Sequence, residues 1–199
     1  MAGGERRRLV VGLSGASGAI YGVRVLDACR DLDIESHLIV SRAGALTLKE
    51  ETGLSPADLA ARADVVHRLG DVGAAVASGS FPALGMIVAP CSVRTMSEIV
   101  TGVTASLLTR AADVTLKERR PLVLMVRETP LHLGHLRTLV SLAEMGATIA
   151  PPVPAFYAKP SGLAEMVDQT VGRALDPFGL DWSGVRRWLG LASAPNAEA

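Results

Sequence analysis

Sulfur and aromatic rings are scarce in this chain. Its two cysteines, Cys29 and Cys91, are too few for a disulfide framework or a cysteine-based metal site. A reduced, cytoplasmic compartment is the expectation that follows. Phe, Trp and Tyr make up 4% of the residues, whereas 49% are hydrophobic. The core must then be built from Val, Leu, Ile and Ala, the usual filling of a buried parallel sheet. Net charge is missing too, since 20 Lys and Arg balance 20 Asp and Glu. A nucleic-acid partner therefore has no general electrostatic support. No apolar run is long and uninterrupted enough to cross a membrane. Arg6, Arg7 and Arg8 before an apolar run resemble the start of a leader peptide. Gly12, Ser14, Gly15, Ser17 and Gly18 break that run, so a first strand with a basic flank is the better reading.

What is present is an alternation of short apolar runs and helical patterns. The 199 residues suit one domain over 1–199, with a core at about 8–180 and a weakly patterned tail at about 181–199. Strands are predicted at Leu9–Leu13, Ile34–Val40, Met86–Ala89 (stopped by Pro90), Pro121–Val126 and Ala147–Ala150. Helices are predicted at Ala19–Arg30, Arg42–Glu51, from Ser55 and Pro56 onward, and at Ser92–Val100, Ala111–Arg119, Leu131–Met145 and Ser161–Leu175. Asp64 to Ser80 has no clear pattern, and the chain past Ala192 reads as frayed. The alternation predicts an α/β fold: three layers, Rossmann-like or flavodoxin-like, with a mainly parallel sheet. Such sheets bind ligands beyond the carboxyl ends of their strands. Here those ends carry Ser14 to Gly18, Ser41 and Arg42, Pro90 to Ser92, Arg127 to Thr129, and Pro151 to Tyr157.

Gly12, Gly15 and Gly18 form a GxxGxxG spacing between a strand and a helix. Glycines let amides approach an anion, and a helix N-terminus favours negative charge. The spacing is not the dinucleotide GxGxxG, and Ser41-Arg42 at the second strand end offers no acid for a ribose diol. That points to a mononucleotide. Ser92 and Thr95 repeat the arrangement at another strand end. Cys91 lacks an evident histidine to activate it and reads as small packing. Arg110 and Lys117 share a face if one helix covers both, which leaves structural pairing and phosphate binding open. Arg127-Glu128 can bind phosphate and move a proton, or form a structural pair. His132 and His135 lack the third ligand that a catalytic metal wants, so no metal is expected there.

Taken together, GLSGASGAIYGVRVLDACR, ASGSFPALGMIVAPCS, LLTRAADVTLKERRPLVLMVRETPLHLGHLR, GATIAPPVPAFYAKP and VDQTVGRALDPFG resemble the UbiX-type flavin prenyltransferases from about Leu9 to Gly179. The resemblance implies a homododecamer with a flavoprotein-decarboxylase-type fold. It implies transfer of a dimethylallyl group from dimethylallyl monophosphate to N5 and C6 of reduced FMN, without a metal, with the product passing to UbiD-type decarboxylases. It implies FMN contacts from Gly15, Ala16, Ser17, Ser41, Ser92, Val93, Arg94, Thr95 and Arg127. Tyr157 and Arg173 are implied contacts of the prenyl phosphate. Arg110, Lys117, Glu128 and Glu51 match other active-site positions, with Glu128 or Glu51 as the acid that protonates the departing phosphate.

Two features depart from that pattern or extend it. Many relatives carry His after the matching tyrosine, where this chain has Ala158 and then Lys159. Trp188 resembles a tryptophan that closes over a neighbouring site. The competing readings are an FMN-dependent cysteine-decarboxylase-type enzyme and a non-catalytic FMN-binding regulatory subunit. The former should carry an early catalytic histidine and an Asn in its proline loop, and PPVPAFY has no Asn.

Overall fold

A computed structural model describes residues 6–190. The expectation of fraying past Ala192 falls outside these residues. Six strands form one sheet in the order β3-β2-β1-β4-β5-β6, and every pairing is parallel. They are β1 (Arg8–Leu13), β2 (Glu35–Val40), β3 (Val65–His67), β4 (Met86–Cys91), β5 (Leu122–Val126) and β6 (Thr148–Ile149). The chain starts in the middle, winds outward through β3, then crosses back to β4 on the other side of β1. The order therefore reverses between β1 and β4, and a ligand crevice is expected there.

Helices cover both faces. On one lie α1 (Ala19–Asp31), α2 (Arg42–Thr52), the short α3 (Pro56–Ala60) and α7 (Leu163–Leu175). They pack on Leu9, Val11, Leu13, Ile87, Ala89, Val123 and Met125. On the other lie α4 (Val93–Val100), α5 (Leu107–Lys117) and α6 (Leu133–Glu144), against Val10, Met86, Val88, Leu122 and Leu124. Successive strand residues thus serve opposite layers, as the period of two requires. Burying each large aliphatic side chain contributes roughly 1.5–3 kcal/mol.

Three local outcomes differ from expectation. Pro90 does not stop β4, which continues to Cys91 through a register shift. Proline lacks only a donor, and its carbonyl remains useful to the neighbouring strand. Helix α5 begins at Leu107 instead of Ala111, because Ser106 and Thr109 build a capping box. Asp64 to Ser80 contains the three-residue edge strand β3 and a single 3-10 turn at Ala75–Ala77, both too short to leave a period in the sequence.

Candidate active site

Ser14 ends β1 and stitches the point where strand order reverses. Its amide and hydroxyl both donate to the Pro90 carbonyl, at 3.2 and 3.0 Å. The hydroxyl oxygen in turn accepts the Ser92 amide at 2.8 Å. Gly15 follows, where a Cβ would lie 2.3 Å from that of Ala43. That glycine is required by the approach of α2. Gly18 caps α1 with φ 105, in the left-handed region.

The amides of Gly18 and Ala19 are already occupied. Both donate to Glu51 Oε2, each at 2.8 Å. The expected open anion cradle at this helix start is therefore corrected: a carboxylate from the last turn of α2 fills it, where the helix dipole favours negative charge. Burial pushes the Glu51 carboxyl up. Hydrogen bonds from the Ser17 hydroxyl and the Ala19 and Gly18 amides, with the Arg127 charge, outweigh it and hold the carboxyl below its ordinary value.

The start of α4 remains available for a ligand anion. Ser92 accepts the Thr95 amide at 3.2 Å and donates to Thr95 Oγ1 at 3.1 Å. The first amides of a helix have no intrahelical acceptor, which leaves those of Val93 and Arg94 for a ligand. The Arg94 side chain points elsewhere, to Glu98 at 2.8 Å. Ser41 caps α2 through the Gly44 amide at 2.9 Å, and its own amide donates to Leu13 at the end of β1. Such hydroxyls and helix-start amides are the kind of groups that bind a phosphate ester.

Arg127 follows β5, and its amide donates to the Cys91 carbonyl at 3.1 Å. Its charge acts on Glu51 and on Tyr21, whose phenol burial raises and Arg127 partly restores. Tyr21 was not anticipated from sequence, although its place in the first turn of α1 was a usable signal. Glu128 accepts the Thr129 amide at 3.0 Å. Cys91 is buried, and desolvation pushes its thiol up to about 12. It packs, as expected. His132 caps α6 through the His135 amide at 3.3 Å.

Tyr157 and Arg173 form a second group. Tyr157 sits in the 3-10 turn Phe156–Ala158 and accepts Gln169 Nε2 at 3.2 Å. Trp188 meets its ring edge-on, with centroids 6.0 Å apart. Arg173 lies one turn after Gln169 on α7 and pairs with Asp176. Between α7 and the proline loop is a cavity of about 230 Å³, lined by Pro151, Val153, Ala155, Thr170 and Arg173 among others. Ala158 is buried, and Lys159 follows it with φ 48.

Lys117 stands apart from both groups. Helix α5 leads into β5, so its last turn lies at the amino edge of the sheet. Arg120, just beyond it, donates to the carbonyls of Gly79 and Phe81 at 2.8 and 2.6 Å. Phe81 lies under the guanidinium of Arg8, the first residue of β1. A six-residue strand is about 20 Å long, more than a lysine can reach. Lys117, which pairs with Glu118, is therefore not brought to Ser17 within one chain, contrary to a site assembled on a single sheet edge. Arg110, on the first turns of the same helix, is at the other end. It pairs with Asp113 at 2.7 Å, close to where the Leu107 amide meets the Leu69 carbonyl beyond β3.

Comparisons with known proteins agree with this geometry. The Flavoprotein family matches residues 3–174. The flavin prenyltransferase UbiX of Escherichia coli strain K12 is 58% identical over 175 residues, 87% of this chain and 93% of its own. A crystal structure of a UbiX protein, PadA1, in complex with FMN and dimethylallyl pyrophosphate superposes with a TM-score of 0.92 at 49% identity, covering 94% of this chain and 99% of that one. A dodecameric FMN-dependent UbiX-like decarboxylase from Escherichia coli O157:H7 superposes with a TM-score of 0.89 at 45% identity, covering 92% and 100%. With Ser17, Glu51 and Arg127 gathered where the strand order reverses, and with identity sustained over most of the chain, this protein belongs to the UbiX flavin prenyltransferases of the Flavoprotein family.

Proposed function

We propose that this enzyme joins the dimethylallyl group of dimethylallyl monophosphate to N5 and C6 of reduced FMN, making prenylated FMN for a UbiD-type decarboxylase. The observation that carries the reading is the Glu51 carboxylate held by the Gly18 and Ala19 amides in the loop of Ser17, after β1 and next to the reversal in strand order. The amides of Val93 and Arg94, with Ser41, Ser92 and Thr95, would hold the FMN phosphate, and Gly15, Ala16 and Ser17 would line its ring. Bound reduced FMN supplies the electron-rich nucleophile. Tyr157 and Arg173 take the phosphate of the second substrate, and Arg110 and Lys117 add positive charge as the allylic C–O bond breaks. Glu128 is the candidate acid for the departing phosphate, since Glu51 is held ionised by its own partners.

This reading needs more than one copy of the chain, because Lys117 lies at the far edge of its own sheet. Helix α6 supports an assembly. It leaves Leu133, Leu136 and Val140 exposed at 59%, 46% and 58%, and Phe156 nearby in sequence to Tyr157 is exposed as well. Leu133, Leu136 and Val140 fall on one helix face, the pattern of a face that another surface covers. A homododecamer in the cytoplasm is the proposed working form.

The test is a mass measurement. Purified protein with reduced FMN and dimethylallyl monophosphate should yield a flavin heavier by one five-carbon unit. Unmodified FMN alone, with the flavin verified as reduced and bound, would overturn the reading and return attention to a cysteine-decarboxylase-type reaction or a regulatory FMN-binding role.

A further inference from the structure

Gln169 lies on α7 between two exposed neighbours in the site, Tyr157 and Arg173, yet is itself 3% exposed. A buried primary amide must satisfy two N–H donors and one carbonyl oxygen. Here all three are used. Oε1 accepts the Arg186 amide at 2.7 Å, and Nε2 donates to the Arg186 carbonyl at 3.1 Å and to Tyr157 Oη at 3.2 Å.

The two bonds to one backbone residue decide the orientation of the amide. Turning it over would set its oxygen against the Arg186 carbonyl and its NH₂ against the Arg186 N–H, losing both bonds. The group facing Tyr157 is consequently a donor. The phenol oxygen accepts, and its single proton is left for a third partner. Arg186 holds the same turn from another side, donating Nη1 to the Ala158 carbonyl at 2.8 Å. Two residues later, Trp188 packs on the Tyr157 ring.

We infer that Gln169, locked by the Arg186 backbone, is a positioning residue that commits the Tyr157 hydroxyl to donating its proton to the phosphate of the prenyl substrate. The inference rests on the reading of Tyr157 as a phosphate contact. It adds the C-terminal segment around Arg186 as the part of the chain that fixes hydrogen-bond polarity in the site.

Gln169→Glu tests it. The carboxylate keeps the shape and still accepts the Arg186 amide, but its second oxygen loses the bond to the Arg186 carbonyl and can only accept from Tyr157, which reverses the bond to the phenol. The KM for dimethylallyl monophosphate should rise by about tenfold or more, with FMN affinity and assembly unchanged. Tyr157→Phe should raise KM by a similar factor, and the double variant should be no worse than either single one. Gln169→Met, which removes the donor without adding charge, is read in the same way.

A wild-type enzyme that makes no prenylated flavin overturns the reading of Tyr157 itself. Active wild type with an unchanged KM in Gln169→Glu, or effects that add in the double variant, overturns the role of Gln169 alone. Loss of FMN binding and assembly in both Gln169 variants makes the residue a support of the fold and also overturns the inference.

Discussion

The Glu51 carboxylate lies 2.8 Å from the Gly18 amide, at a helix start that would otherwise receive an external anion. One group thereby caps α1, orders the loop that carries Ser17, and keeps a negative charge close to Arg127.

Removing that cap should be measurable. Glu51→Ala should lower stability by about 1 kcal/mol, in the range of a lost helix cap, and reduce turnover as Ser17 loses its partner. The difference from wild type should be full above the ordinary glutamate value of about 4.3 and fade in acid, as pH falls through the lower value of the folded protein. Denaturation midpoints of both proteins across that range check this. A difference that persists unchanged in acid would contradict it.

Lys117 gives a test that separates one chain from another. Lys117→Ala and Glu128→Gln should each be nearly inactive. Co-refolding the two should restore part of the activity, since a site can then take its lysine from one copy and its carboxyl from another. No recovery in verified mixed oligomers would argue that both residues serve the same chain.

Glu128→Gln should separate binding from chemistry. Flavin titration should find FMN affinity close to that of wild type. Turnover should fall by about a hundredfold or more, the usual contribution of a positioned acid. Equal turnover would remove Glu128 from the proton transfer.

The apolar face of α6 is a prediction about assembly. Leu136→Asp with Val140→Asp should shift the mass in solution toward smaller species, because both side chains are exposed in the single chain. Activity should fall in parallel. A variant that stays fully assembled would place the interface elsewhere.

The two thiols should be silent. Burial pushes both Cys29 and Cys91 up to about 12, so neither is a thiolate at neutral pH. An alkylating reagent should leave the folded protein unmodified and label both positions after unfolding. Rapid labelling of Cys91 in the native enzyme would revive it as a nucleophile.

Much of the fold was legible because β1, β4 and β5 are near-continuous apolar runs, β2 alternates in part before Leu38, Ile39 and Val40, and several helices start at a Ser. The edge strand β3 was not, since Val65, Val66 and His67 are too few to show a period. The start of α5 was missed because the Ser106 and Thr109 cap reads locally as loop. In the site, spacing and family likeness named Ser17, Glu51 and Arg127. The bonds of Glu51 to the Gly18 and Ala19 amides depend on α2 folding back over the β1 loop, which no local pattern records. The isolation of Lys117 follows from the direction of a crossover helix, and the role inferred for Gln169 from burial by the C-terminal segment. Both are tertiary facts.

Ser14, just after β1, is joined to Pro90 and to Ser92 at the end of β4, across the reversal in strand order. Those bonds tie the loop after β1 to the start of α4 without any ligand. A joint made in advance lowers the cost of ordering these two loops around a ligand. Substitutions that loosen this joint should let the β1 and β4 loops drift apart and weaken whatever is held against both.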